Sequence, residues 1–345
     1  MNNQGYTPDE TDRKIIGLLA GDSRLSYERI ASALNLTRNS IKTRVKRMIS
    51  IGVIQEYIAD INLSVLGYNV YYIITKQKEK STSTESTHVI RTKTFEYLDR
   101  LGDILAEIEV LGETSIFRVA TREVLMDKEI AGKALNTAAS LLETGFIEKV
   151  VLATTIEGFR YRIQKKQEKH SFLTPTDLKI LRCLVLNPQV GISNIANLVS
   201  VSARTANRIL NKLRDNGVVR FSIICNPSLM KGLVVFGLLI YINDSEGGGR
   251  KGEQRKNKTS NSHKVLERLY NESQEYPFLR TPIVSNDNIV IVSVFGNDVF
   301  AIDLMFKKIL SFEEVKKAEL YVFTKIKYYK ESIVKEIDHI IESGI

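Results

Sequence analysis

Cationic side chains are concentrated at residues 38–47, where Arg38, Lys42, Arg44, Lys46 and Arg47 lie with no acidic residue between them. On one helix these charges repel each other, because no acid stands three or four residues away within the stretch to pair with them. Arginine and lysine supply hydrogen-bond donors without acceptors, which fits phosphate groups and the acceptor edges of bases. The stretch therefore favours contact with nucleic acid over the alternative of a solvated helix face.

The same stretch occurs twice. Residues 36–54 read LTRNSIKTRVKRMISIGVI, residues 201–219 read VSARTANRILNKLRDNGVV, and a constant offset of 165 residues keeps small, apolar and polar positions in register. The register extends back to Asp12 and Asp177. Similarity at a fixed offset is the signature of a duplicated module.

Three short helices must position these residues in each copy. The third helix of the first copy places Ile41, Val45 and Met48 on one apolar face. In both copies it begins after a hydroxyl side chain and ends before a glycine, which predicts N-caps at Thr37 and Ser202 and left-handed C-caps at Gly52 and Gly217. The β-branched run that follows predicts a short wing strand, which completes a winged helix-turn-helix plan.

The outward face of each third helix follows from a step of about 100° per residue. With Ala206, Leu210 and Leu213 as the inner face of the second copy, both outward faces carry side chains able to read base edges in the major groove. The predicted base-reading residues are Asn39, Lys42, Thr43 and Lys46 in the first copy and Arg204, Asn207, Arg208 and Asn211 in the second. The predicted phosphate contacts are Arg38, Arg44, Arg47, Lys212 and Arg214.

After each module the pattern predicts strand, helix, two strands, helix and strand, which is the ferredoxin-like β-α-β-β-α-β sandwich. The fold class is therefore α+β, with two winged helix-turn-helix modules, each followed by such a sandwich. The predicted boundaries are 7–60 and 174–226 for the modules, 61–163 and 227–330 for the sandwiches, 164–173 for a linker and 331–345 for a C-terminal helix. The apolar stripe of that last helix is expected to pack on its own sandwich or on another copy of the chain.

Composition limits the remaining classes of protein. A net charge of +9 over 345 residues favours a polyanionic partner. A basic and apolar leader and a run of about 18 apolar residues are both missing, so we expect a cytoplasmic, nucleoid-associated protein and no membrane partner. The two cysteines, Cys183 and Cys225, form neither a disulfide framework nor a zinc cluster, and we expect no metal and no cofactor.

The first half resembles the Lrp/AsnC family of prokaryotic transcription regulators, through DRKIIGLLAGDSRLSYERIASALNLT at 12–37 and IADINLSVLGY at 58–68. The second copy, with SARTANRILNKLRDNGVV, would fit equally among generic winged helix modules. The resemblance implies double-stranded DNA as partner, sandwiches that pair their sheets, here within one chain, and a possible effector site at a Gly-x-x-Asp turn. This chain has GETS at 112–115 and SNDN at 285–288, so Gly112, Ser115 and Asn288 are the effector candidates and the family's carboxylate is replaced.

We expect a sequence-specific regulator in which an intramolecular pseudo-dimer holds two unlike recognition helices. Homo-oligomers through the sandwiches or the last helix are also expected. One alternative is an architectural or protein-interaction protein with little sequence preference. Another is an enzyme similar to the sirohaem decarboxylases, which resemble paired or fused Lrp-like halves; its basic pocket would be built from Arg118, Arg160 and Arg162. The four histidines lie in or beside loops or on the last helix, which favours a protein that is not an enzyme.

Overall fold

A computed structural model describes residues 7–78, 87–121, 127–144, 147–154, 173–230, 232–243, 261–272, 283–285, 289–296 and 298–343. The predicted linker at 164–173 lies outside these residues except for Leu173. The elements of the first half are α1 (Glu10–Gly21), α2 (Tyr27–Leu34), α3 (Arg38–Ser50), β1 (Ile54–Ile61), β2 (Asn69–Gln77), α4 (Thr87–Leu101), β3 (Asp103–Val110), β4 (Thr114–Thr121), α5 (Asp127–Glu143) and β5 (Ile147–Thr154).

The second half repeats this order. Its elements are α6 (Pro175–Leu186), α7 (Ile192–Val199), α8 (Ala203–Asp215), β6 (Val219–Cys225), β7 (Val234–Ile242), α9 (Asn261–Glu272), β8 (Ile283–Ser285), β9 (Ile289–Gly296), α10 (Val299–Leu310), β10 (Val315–Tyr328) and α11 (Lys330–Ser343). The predicted α+β fold class, with two helix-turn-helix modules and two β-α-β-β-α-β units, is confirmed.

The two sandwiches share one sheet. Its strand order is β5-β2-β4-β3-β10-β7-β9-β8, and each half of the order is the ferredoxin-like arrangement. Antiparallel pairing of β3 with β10, from Ala106 opposite Tyr328 to Val110 opposite Phe323, joins the halves. The end strands β5 and β8 approach to within 8 Å between Cα atoms, so the sheet curls towards closure. The sandwiches therefore pair within one chain.

The strands that follow the two recognition helices differ from the prediction in one respect. Each was expected as a short wing of its own module, but β1 and β6 pair with each other in an antiparallel two-stranded ribbon. The ribbon runs from Ile54 opposite Cys225 to Ile61 opposite Val219. The reason is the duplication itself, because two equal strands with free edges in one chain satisfy each other's backbone groups. The ribbon links the two modules.

A continuous apolar core joins the modules to the sheet. Buried side chains of both helix-turn-helix modules, such as Ile41 and Leu181, belong to the same cluster as Phe221 of the ribbon and Leu239 of the sheet. Two further clusters lie on the sheet, one involving α4 and α5 and the other α9 and α10. Because this cluster is shared, the modules pack against the ribbon and the sheet. Burial of apolar surface of this kind is the main favourable contribution to folding.

The C-terminal helix α11 packs on its own chain. Ile333 and Ile337 are buried, and α11 contacts both α6 and β3. This decides between the two alternatives left by the sequence for that apolar stripe. No described helix combines the length and apolar character that crossing a bilayer requires.

Candidate nucleic-acid interface

The third helix of each module is built as the sequence predicts. Thr37 accepts a hydrogen bond from the backbone N–H of Ser40 at 3.2 Å, and Ser202 accepts one from Thr205 at 3.1 Å. These side chains satisfy donors that a helix leaves unpaired at its start. Gly52 and Gly217 follow with φ of 80° and 67°, a left-handed conformation that glycine adopts without a Cβ penalty. Both helices therefore begin and end at defined positions.

The inner faces of α3 and α8 are fully packed. Ile41, Val45 and Met48 have no solvent exposure, and their counterparts in the second module are also buried. Because three apolar side chains fix each helix by one face, the rotation of the opposite face is set. The six residues that the sequence assigns to the two inner faces are Ile41, Val45, Met48, Ala206, Leu210 and Leu213, and all are buried.

All eight predicted base-reading side chains are exposed. They occupy four equivalent positions, related by the offset of 165 residues: Asn39 with Arg204, Lys42 with Asn207, Thr43 with Arg208, and Lys46 with Asn211. Within the described part of the chain, none of these side chains forms a hydrogen bond or an ion pair with another residue. Each position therefore offers an uncommitted donor or acceptor to a ligand, and the two helices offer different chemistry at every position.

The predicted phosphate contacts have another environment, because each pairs with a carboxylate. In the first module Arg44 Nη1 lies 2.6 Å from Asp9 Oδ2 and 2.9 Å from Asp12 Oδ1, and Arg47 Nη2 lies 3.1 Å from Asp12 Oδ2. Arg38 pairs with Glu28 of α2. No acid lies within residues 38–47 of α3; these partners come from the start of α1, including its N-cap Asp9, and from α2. The cations are thus oriented by the fold and remain partly exposed.

The second module repeats one of these contacts. Lys212 Nζ lies 2.9 Å from Asp177 Oδ2, and Lys212 and Asp177 are the counterparts of Arg47 and Asp12. Arg214 instead reaches Asp22 of the first module, with Nη2 2.5 Å from Oδ2. Lys212 and Arg214 are partly exposed in these pairs, whereas the carboxylate of Asp177 is buried, and both pairs restrict where the positive charge lies.

Asp12 and Asp177, which are aligned by the repeat, join the candidate site although neither is predicted as a site residue from the sequence. They are 0% and 1% exposed. Each closes a capping box at the start of the first helix of its module, with Asp9 and Thr174 as the N-caps. Burial acts to raise the pKa of Asp177, but the N–H of Thr174 and the ammonium of Lys212 outweigh it and hold that pKa below its usual value. The spacings D-x-x-D and T-x-x-D were the available signal, since both resemble a capping box.

Asp9 supports the same arrangement from the N-cap of α1. Burial acts to raise the pKa of its carboxyl, but the hydrogen bond from Arg44 and the backbone N–H of Asp12 lower the pKa below its ordinary value. The carboxylate of Asp9 thus stays charged near neutral pH. It holds the guanidinium group of Arg44, a residue of α3, at the start of α1.

The effector candidates lie in a turn and on a strand. Gly112 adopts φ of 83° in the turn between β3 and β4, and Glu113 follows with φ of 59°. Ser115 is half-buried on β4, where its carbonyl accepts a hydrogen bond from Thr75 at 3.5 Å. Asn288 lies outside the described residues. The described part of this candidate site is therefore a regular hairpin end.

Arg118, one of the three arginines considered for the basic pocket of an enzyme, is buried in an ion pair. This side chain is 3% exposed, and its Nη1 lies 2.8 Å from Oδ1 of Asp60 on β1. Arg220 of β6 approaches the other oxygen of Asp60, at 3.3 Å. Arg118 is thus committed to the junction between the ribbon and the sheet, while Arg160 and Arg162 lie outside the described residues.

Comparison with known proteins identifies both modules. Residues 9–49 match the AsnC-type helix-turn-helix domain, and residues 173–220 match the winged helix-turn-helix DNA-binding domain. The chain therefore carries an AsnC-type helix-turn-helix domain followed by a second winged helix-turn-helix domain, which confirms the resemblance predicted for these modules.

Relatives of the first half are described as regulators. The chain is 46% identical over 66 residues to an HTH-type transcriptional regulator of Pyrococcus furiosus, an alignment that covers 19% of this chain and 45% of that protein. It is 28% identical over 127 residues to HTH-type transcriptional regulator Ptr1 of Methanocaldococcus jannaschii, covering 37% of this chain and 78% of Ptr1. The match thus spans less than half of the first of these relatives.

Two solved structures align with different shares of this chain. The siroheme decarboxylase NirDL aligns with 97% of this chain and 99% of its own, at a TM-score of 0.48 and 13% sequence identity. Escherichia coli AsnC aligns with 48% of this chain and 100% of its own, at a TM-score of 0.29 and 18% identity. Both similarities are too low to indicate a shared function.

Proposed function

We propose that this protein is a transcription regulator that binds double-stranded DNA in a sequence-specific manner through α3 and α8. One observation carries the proposal: eight exposed side chains without partners among the described residues occupy equivalent positions on two recognition helices. Asparagine at such positions bonds adenine, and arginine or lysine bonds guanine. The cations oriented by carboxylates flank these faces and contribute affinity for the backbone.

The target is an asymmetric duplex site. The two helices differ at all four equivalent positions, so they prefer different half-sites. The two modules that carry α3 and α8 are called the two recognition heads. Held in one molecule, they read half-sites separated by about one helical turn, roughly 34 to 36 Å, or a multiple of it. A single chain then takes the place of a symmetric dimer and selects a site without two-fold symmetry.

Selection from random duplex DNA with the intact protein tests this proposal. The winning duplex is then titrated against a scrambled duplex at several salt concentrations. A bipartite site with unlike halves and a specificity ratio of roughly 10³ or more is expected. Perfect palindromes would count against the two unlike heads. Affinity that depends on salt without any enriched sequence would favour the architectural alternative.

The enzyme alternative has its own readout. Addition of sirohaem to the purified protein should leave the absorbance spectrum of sirohaem unchanged, because the one described arginine of the suggested pocket is paired with Asp60. A shift of that spectrum on binding would support the alternative. The same sample, tested for duplex binding before and after the addition, separates the two functions.

We also propose that homo-oligomers form through the second sandwich, at α10. Phe300 and Leu304 are 85% and 65% exposed on the outer face of this helix. Asp303 and Lys307 lie beside them, so two antiparallel copies of α10 would place opposite charges across the contact. Sedimentation of the wild type and of Phe300→Ser tests the proposal, and a Phe300→Ser variant that self-associates as strongly as the wild type would refute it.

Binding of a small-molecule effector and location at the nucleoid stay predictions. For the effector, Gly112 and Ser115 supply backbone and hydroxyl groups only. A ligand with an ammonium group would find no carboxylate at position 115.

A further inference from the structure

Two equivalent loops of the modules lock onto each other. Arg24 and Gln189 occupy the same position of the repeat, 165 residues apart. Arg24 donates from Nη1 to the carbonyl of Pro188 at 2.7 Å and from Nη2 to that of Val190 at 2.9 Å. In return Gln189 donates from Nε2 to the carbonyl of Ser23 at 2.9 Å. The contact is thus reciprocal, as a pseudo-two-fold axis requires.

Both loops are fixed from within. The side chain of Asp22 accepts a hydrogen bond from the backbone N–H of Arg24 at 3.0 Å. In the other module Asn187 accepts one from Gln189 at 3.1 Å. Such Asx turns hold the backbone in one conformation. The reciprocal contact of Arg24 and Gln189 is called the lock below. Its two side chains therefore extend from backbone that is already ordered.

The second recognition helix is tied to the same place. Arg214, in the last turn of α8, lies 2.5 Å from Asp22 of the first module. The guanidinium groups of Arg24 and Arg214 lie 5.0 Å and 5.8 Å from the centre of the Phe221 ring, within the range of cation–π attraction. Ser222, the next residue of the ribbon, donates to the carbonyl of Ala20 at 2.8 Å. Loop, ribbon and recognition helix thus meet at one junction.

We propose that Arg24, Gln189 and the Asp22–Arg214 pair are positioning residues that hold α3 and α8 at one fixed separation, so that a single chain accepts its two half-sites at one spacing. The inference rests on the proposed function, because it specifies the DNA that the two heads bind. Each added base pair moves the second half-site by about 3.4 Å along the axis and by roughly a tenth of a turn around it. A rigid pair of heads cannot follow this change.

A series of duplexes tests the inference. The selected bipartite site is altered by insertion or deletion of one, two or five base pairs between the half-sites, and affinities are measured for the full chain. The wild type should lose at least about tenfold in affinity for a change of two base pairs, since one half-site is then misplaced. The double variant Arg24→Ala with Gln189→Ala should lose only about threefold to fivefold, because the ribbon and the Asp22–Arg214 pair still restrain the modules, while its base preference within each half-site stays unchanged.

Two further variants make the result specific. Lys179→Ala removes one positive charge from an exposed position on α6 with no contact to the lock, and should keep the spacing profile of the wild type. Gln189→Ala alone removes one neutral hydrogen bond and serves if the double variant does not fold, as judged by circular dichroism. Its spacing penalty should fall between those of the wild type and the double variant.

The outcomes separate this inference from the proposed function. A wild type that binds all spacings equally, or lock variants with the penalty of the wild type, would overturn the inference while base preference persists. Loss of base preference in the wild type itself would instead overturn the proposed function.

Discussion

Acidic side chains determine where the cations of the recognition helices point. Asp12 illustrates the principle, because it is fully buried and yet bonds two arginines of α3. A buried carboxylate is tolerated only when it is paired and hydrogen-bonded. Asp12 meets this requirement through the capping box and the two guanidinium groups. Its removal takes away the acceptor for the backbone N–H of Asp9 and one carboxylate partner from each arginine, while Asp9 still caps α1 and still pairs with Arg44.

We expect Asp12→Ala to destabilise the protein by about 2 kcal/mol, because it removes a buried carboxylate that accepts the backbone N–H of Asp9 and pairs with two arginines. Urea unfolding monitored by circular dichroism measures the change. Glu10→Ala is the matched control, because Glu10 is an exposed acid of the same helix turn that pairs with Lys14. Its effect should be much smaller than that of Asp12→Ala, because an exposed ion pair is screened by solvent. Equal losses for the two variants would contradict the assigned role of Asp12.

The division between base and phosphate contacts gives a second prediction. Arg208→Ala should relax preference at one base position at a cost of about 1 to 3 kcal/mol for the preferred sequence. Arg47→Ala should weaken binding to all sequences alike and reduce the salt slope by about 1. Titrations of the selected and scrambled duplexes measure both. Arg100→Ala, an exposed charge change on α4, should alter neither. Equal losses on every sequence for Arg208→Ala and Arg47→Ala would refute the division.

At the scale of elements, local signals in the sequence identify the helices and their exposed faces. The spacing of Ile41, Val45 and Met48 indicates both the inner face and, by difference, the outer one. Thr37 and Gly52 mark the ends of the helix. Each of these signals involves residues a few positions apart, so it is readable without the fold.

Pairing between distant elements left no such signal. The ribbon of β1 and β6 joins strands more than 150 residues apart, and Lys149 of β5 meets Glu319 of β10 at 2.8 Å. In the sequence, Lys149 and Glu319 each look like an exposed polar residue of a strand. The acids that pair with α3 were missed for the same reason, because they lie on other helices.

The contact between β5 and β10 predicts a dependence on pH. Burial acts to raise the pKa of Glu319, but hydrogen bonds from Lys149, Lys317 and Tyr321 outweigh it and lower that pKa to about 2. A carboxyl with a lowered pKa contributes stability that is complete above its unfolded pKa and is lost as pH falls towards the folded value. The contribution of Glu319 to the free energy of unfolding should therefore be constant above about pH 5. It should decline by about 2 kcal/mol as the pH falls towards 2.

Glu319→Gln isolates this contribution. The variant should be less stable than the wild type at pH 6, and the difference should shrink as the pH approaches 2, because the wild-type carboxyl then also becomes neutral. Glu313→Gln, an exposed glutamate before the same strand, should match the wild type at every pH. Unfolding curves at five or six pH values give the comparison. A difference that does not vary with pH would disprove the role of this carboxylate.

At the scale of the whole molecule, α11 connects parts that are distant in the chain. Arg182 of α6 bonds Asp338 at 2.5 Å and 3.1 Å, and Ser332 donates to the carbonyl of Ile104 on β3 at 3.2 Å. Glu336 is buried and bonds the hydroxyl of Tyr68, just before β2. The helix thus attaches the second recognition module to the first sandwich, across the pseudo-symmetry of the fold.

Ile337 provides a test of that attachment. It has no solvent exposure, so Ile337→Ala should cost about 3 kcal/mol of stability. Ile340→Ala, which truncates a half-buried side chain one turn away, should cost about 1 kcal/mol. If α11 holds the second module in place, amide hydrogen exchange in α6 should accelerate more in Ile337→Ala than exchange in α1 of the first module. Equal acceleration in α1 and α6 would mean that the helix stabilises the molecule as a whole and does not anchor one recognition head.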